Sequence, residues 1–144
     1  AGDRKPFPFL QSPFDEYGAT FSPDGKWIAY NSEEGGAPEC YVRPFPVAEG
    51  RWQVSTNGTD GGCSWSRDGK EIFYFTQEGT LMAVPISMEP SFRPGVPKAL
   101  FQKKGIRSGD AAADGRRFLL AVREESRNTL PISLILNWTE ITKR

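Results

Sequence analysis

Three acidic turns are the first places where this sequence could do chemistry. An Asp-Gly followed by a basic residue occurs at Asp24-Gly25-Lys26, Asp68-Gly69-Lys70 and Asp114-Gly115-Arg116. A calcium loop needs several oxygen ligands at short spacing, and each of these turns offers one carboxylate. The expected role is therefore structural, with aspartate closing the turn through its side chain and glycine supplying a positive φ. No metal and no cofactor is expected. Histidine is absent, which excludes Ser-His-Asp and Cys-His catalysis and removes the commonest zinc ligand. Two cysteines, Cys40 and Cys63, are too few for a disulfide framework or a four-thiolate metal site,. They are expected as reduced core residues. Trp27, Tyr30, Trp52, Trp65, Tyr74 and Trp138 could form a sugar-stacking platform. Their positions inside β-prone stretches favour packing instead, with Trp52 the least constrained.

The acidic turns recur in register. Their aspartates lie 44 and 46 residues apart, and the flanks agree. Four residues after each Asp comes Ile28, Ile72 or Phe118, and six after comes Tyr30, Tyr74 or Leu120. Ala29, Phe73 and Leu119 lie between them, so each segment is apolar on both faces, as a strand sandwiched on two sides must be. Each unit reads as four short strands; the middle one gives "RWQVST", "GCSWS", "KEIFYF" and "TLMAVPI". The first gives "FPFLQ", "ATFS", "KWIAYN" and "ECYVRPF", and the third "KALFQ", "DAAA", "RRFLLAV" and "ISLILNW". The proline-rich "RPFPVAEG" and "PSFRPGVPK" read as links between units,.

Four antiparallel strands recurring every 40–50 residues are the blade of a β-propeller. The expected fold class is thus all-β: one domain, a half-propeller of three four-stranded blades at about 7–46, 51–88 and 97–138. Composition agrees, with 15 Gly, 12 Pro and 12% aromatic residues in 144,. Lys+Arg and Asp+Glu number 18 each, a balance that argues against nucleic-acid binding. No run of 18 apolar residues offers a membrane span,. The start "AGDRKPFPFL" has no signal-peptide core,.

"FSPDGKWIAY" and "WSRDGKEIFYF" resemble TolB-like, WD-related propeller repeats. With "YVRPFP", "LMAVPI" and "LILNW", the chain also resembles the last part of propeller domains appended to bacterial serine/threonine protein kinases. No kinase part is carried over, since the phosphate-covering glycine loop and the His-Arg-Asp loop are missing,. The resemblance implies a bacterial, non-catalytic sensing or scaffolding propeller, periplasmic or otherwise extracytoplasmic, with a possible protein partner. It also implies that the strand before each Asp-Gly lies innermost. The approach loops "FDEYGA", "NGTDGG" and "KGIRSGD" then bring Glu16, Tyr17, Asp60, Arg107, Ser108 and Asp110 near one axial opening. These six are the candidate ligand-binding residues, because loops on a rigid scaffold are where binding usually resides. No catalytic residue is assigned. The expected function is non-enzymatic binding of a protein or small ligand, a purely structural kinase-associated propeller piece being the alternative. A carboxylate hydrolase built on Glu16, Asp60 and Asp110 is the enzymatic one.

Propellers close with typically four to eight blades. Two copies of three blades reach that range, so a homodimer forming one six-bladed ring is expected. In it Phe7 to Gln11 would complete the partner's last blade.

Overall fold

The computed structural model describes residues 5–47, 49–112, 114–123 and 132–135. Among these every regular element is a strand: β1 (Glu16–Phe21), β2 (Trp27–Ser32), β3 (Glu39–Pro44), β4 (Trp52–Gln53), β5 (Ser64–Trp65), β6 (Glu71–Phe75), β7 (Thr80–Ser87), β8 (Arg93–Pro94), β9 (Lys98–Gln102), β10 (Ile106–Ala111), β11 (Phe118–Val122) and β12 (Ile132–Ile135). They form three antiparallel sheets. Sheet 1 has the order β1-β2-β3-β4, sheet 2 runs β5-β6-β7 with β8 and β9 both on β7, and sheet 3 runs β10-β11-β12. The chain is an all-β protein built of propeller blades.

The acidic turns are built as the sequence suggests. Ser22 Oγ donates to Asp24 Oδ1 at 2.6 Å, Lys26 N donates to the same oxygen at 3.1 Å, and Trp27 N donates back to Ser22 Oγ at 3.0 Å. Ser66, Asp68, Lys70 and Glu71 repeat this arrangement with distances of 2.7, 3.1 and 2.9 Å. Gly69 sits at φ 71°, a conformation glycine adopts without a Cβ penalty,. In the third turn Ala112 replaces the serine, and Arg117 Nε takes over by donating to Asp114 Oδ2 at 2.9 Å. The carboxylates are thus occupied by the turn itself.

Alternation along β2, β6 and β11 sends neighbouring residues to opposite faces of each sheet, and two cores lie between the sheets. Ala29, Cys40 and Val42 of sheet 1 meet Ile72, Tyr74 and Val84 of sheet 2 in the first core. Phe73, Leu81 and Ala83 of sheet 2 meet Phe118, Leu120 and Val122 of sheet 3 in the second. Trp27, Trp52 and Trp65 surround the buried ring of Phe92, with centroids 4.9, 5.4 and 6.4 Å from it. The tryptophans pack between sheets, and Trp52 is half-buried rather than free.

Four expectations are corrected. Cys40 and Cys63 are not reduced: a disulfide joins them, Cα–Cα 6.2 Å, tying β3 of sheet 1 to the segment entering sheet 2. "FPFLQ" is not a strand; Phe9 and Leu10 pack on Ile28, Tyr30 and Tyr41 of their own sheet. The sheets span 16–53, 64–102 and 106–135, one strand out of step with blades at 7–46, 51–88 and 97–138. The strands that open the second and third repeats pair with the previous sheet, as β4 does with β3 and β9 with β7. Lastly, "PSFRPGVPK" is more than a link, since Arg93 and Pro94 pair with Ser87 and Ile86. Trp138 lies outside the described residues.

Candidate functional site

The first strands of the three sheets, β1, β5 and β10, gather around one cleft of about 400 Å³. Its walls come from Gly18–Thr20, residues 60–64 and residues 108–111, and Phe73, Phe75, Leu81, Ile106, Phe118 and Leu120 supply apolar surface. Asp60, Ser64, Thr20, Ser108 and Asp110 are its polar groups. Gly109 stands between the last two because a Cβ there would lie 2.7 Å from Leu120 Cδ2 and 3.3 Å from Phe75 Cε2. Replacing it would push β10 off the second core.

Three of the six candidates therefore share one cleft: Asp60, Ser108 and Asp110. Glu16 and Tyr17 precede the first lining residue of β1, Gly18, and do not line the cleft themselves. Tyr17 still feels its surroundings. Burial pushes its phenol above the ordinary value of 10.0, and the negative charges of Glu33, Asp60 and Asp15 push it further. Arg107 belongs to β10 by its backbone, between Ile106 and Ser108 where the register shifts; its side chain lies outside the described residues.

Asp60 is held by a buried polar network that its own loop does not reveal. Glu39, only 9% exposed, accepts a hydrogen bond from Gly58 N at 2.8 Å and another from the Ser55 hydroxyl. Ser55 Oγ also accepts from Cys40 N at 2.7 Å. Asn31 is fully buried, and its Nδ2 donates to Thr59 Oγ1 at 2.5 Å and to Gly61 O at 2.8 Å. Thr59 N donates to Pro38 O and Asp60 N to Phe75 O, at 2.7 and 2.8 Å. Residues 55–61 are thus tied on both sides, to sheet 1 and to β6, with Asp60 at the cleft. Glu39 and Asn31 were not among the sequence candidates. The available signal was Asn31 itself, a polar residue where the other repeats carry Phe75 and Ala121.

With this geometry in place, comparison identifies the fold. No family model matches the chain, and no curated protein matches it. Among solved structures it resembles an oligogalacturonate lyase from Vibrio parahaemolyticus at 18% identity and TM-score 0.54, covering 71% of this chain and 27% of that one. A second oligogalacturonate lyase, in complex with manganese, gives 18% and 0.52, with 72% and 28% covered. TolB from Acinetobacter baumannii is 20% identical at TM-score 0.46, over 93% of this chain and 44% of that one. The chain spans little more than a quarter of the length of the lyases it matches, and what it shares with them is the β-propeller fold.

Proposed function

We propose that this chain is a non-enzymatic binding module, and that its ligand enters the cleft between Asp60 and Asp110. One observation carries the reading. Residues expected from sequence to meet at an axial opening come from two different sheets' approach segments and line one cleft over apolar ground. Most small-molecule sites combine such apolar walls with a few placed polar groups. Asp60 and Asp110 are the charged side chains among the described lining residues. The ligand, whether small or a side chain of a protein partner, therefore carries a positive charge and an apolar portion. Each carboxylate favours a cation at about 4 Å by roughly 1–4 kcal/mol, depending on how wet the site is.

The test uses acetyl-Phe-Lys-amide and oligogalacturonate as probes in calorimetric titrations. Binding of the basic peptide, weakened about tenfold or more by Asp60→Ala with Asp110→Ala, supports the reading. Preference for the polyanion, or indifference to both substitutions, overturns it. A second reading, a carboxylate hydrolase, rests on these two carboxylates lining one cleft, since glycoside hydrolysis uses a carboxyl pair. Turnover of an aryl-glycoside panel, lost in Asp110→Asn, would establish it. The Cys40–Cys63 disulfide supports an oxidising, extracytoplasmic setting,. Self-association into a two-chain ring also belongs to the proposal.

A further inference from the structure

The three strands that border the cleft differ in what their free edges offer. β1 reaches it where the register shifts between Tyr17 and Thr20, and β5 is two residues long. Of the three, only β10 brings an unbroken, in-register run to the cleft, from Ser108 to Ala111. Its pairing with β11 fixes where its backbone groups point. Ala112 N donates to Arg117 O at 2.8 Å, so these two form a hydrogen-bonded pair, and antiparallel pairs alternate between bonded and non-bonded. Asp110 and Leu119 are then bonded, whereas Ala111 with Phe118 and Gly109 with Leu120 are not. The N–H and C=O of Gly109 and Ala111 are therefore directed to the other edge of β10. Among the described residues no strand pairs with that edge, and no group bonds those four atoms.

Such an edge is a template for a further strand, and the side chains around it specify what that strand carries. Directly opposed residues in a sheet share a face, and consecutive residues alternate between faces. At Gly109 the missing Cβ leaves Leu120 Cδ2 and Phe75 Cε2 close to the backbone, 2.7 and 3.3 Å from where it would stand. Ala111, on the same face, packs against the second core. A residue opposite either one meets apolar surface. Asp110, between them, lies on the other face and is exposed, so a residue opposite it meets a carboxylate. Resting on the cleft reading above for the ligand's positive charge, we infer that the ligand is an extended segment of a protein partner, added to β10 as an antiparallel strand. Its sequence over three residues is apolar, basic, apolar. Antiparallel pairing is the stronger per residue, and it lets Gly109 and Ala111 each exchange two hydrogen bonds with the apolar residue opposite.

Acetyl-Val-Lys-Val-amide is the probe, with the amides of the isotope-labelled protein followed by NMR. At saturation, hydrogen exchange at Gly109 and Ala111 is expected to slow about tenfold or more, because each amide gains a bond. Asp110, already bonded to Leu119, is expected to stay as it was. N-methylating either valine should weaken binding about tenfold, since the methyl removes a donor and leaves a carbonyl of β10 unpaired. N-methylating the lysine, whose amide faces away from β10, should leave affinity unchanged. Binding without protection of Gly109 and Ala111, or equal effects of the three N-methyl groups, overturns strand addition and leaves the cleft reading intact. Acetyl-Val-Gln-Val-amide tells the two apart in the other direction. If it protects Gly109 and Ala111 as well as the lysine peptide does, the cationic reading fails and strand addition stands. If neither peptide binds, strand addition is overturned.

Discussion

Asp68 accepts from the Ser66 hydroxyl and the Lys70 amide through a single oxygen. The serine hydrogen bond, first, and the lysine amide next hold its carboxyl below the usual 3.8; Asp24 is lowered likewise, chiefly by Ser22. A carboxylate whose pKa is depressed on folding contributes stability above its unfolded value, and loses it as pH falls through the folded value. The turns therefore help at neutral pH and weaken below about pH 4. Asp68→Asn is expected to lower stability by about 0.5–1 kcal/mol at pH 7, the amount kept small by solvent screening. Urea melts at pH 7 and pH 3 should show a smaller acid loss in the variant than in the wild type; equal losses would remove Asp68 from the account.

At the scale of elements, the 55–61 segment is the part of the site most dependent on its surroundings. Its grip on Glu39 is buried, so Glu39→Ala leaves Gly58 N and the Ser55 hydroxyl without their acceptor. The expected cost is about 2–3 kcal/mol. Amide exchange measured along the chain should rise first between Gly58 and Cys63, and a uniform rise would speak against a local role. This segment also marks where sequence reading stops. The turns and the central strands were legible because the repeat fixes their places relative to one another, whereas Asp60, Ser108 and Asp110 were singled out through the resemblance, which implies that the strand before each Asp-Gly lies innermost. Glu39 and Asn31 break the repeat, and their partners lie 16 to 30 residues away. Nothing local announces such pairings. "FPFLQ" failed for the opposite reason: its β-prone residues match the opening strands of later repeats, but as described it lies on the face of sheet 1 and not at a sheet edge.

For the whole molecule, the disulfide matters more than any one side chain. Cys40 and Cys63 are 23 residues apart and connect sheet 1 to the entrance of sheet 2, beside the cleft that Cys63 helps to line. Closing a loop of that size restricts the unfolded chain by about 3 kcal/mol, comparable with burying a whole large apolar side chain. Cys63→Ala is expected to lose about that much in a denaturant melt, and reduction of the wild type should lose a similar amount. A loss near zero would show that the cores alone hold sheets 1 and 2 together.

The one-strand offset between repeats and sheets has a consequence for how such a chain can be inherited. A genetic break at a repeat boundary falls inside a sheet, because β4 and β9 are encoded with the repeat that follows them and yet complete the sheet before. Duplicating or exchanging a single repeat thus never delivers a finished blade. It delivers three strands and an edge for a neighbour, and the newcomer survives only if its opening strand suits a sheet that was already there.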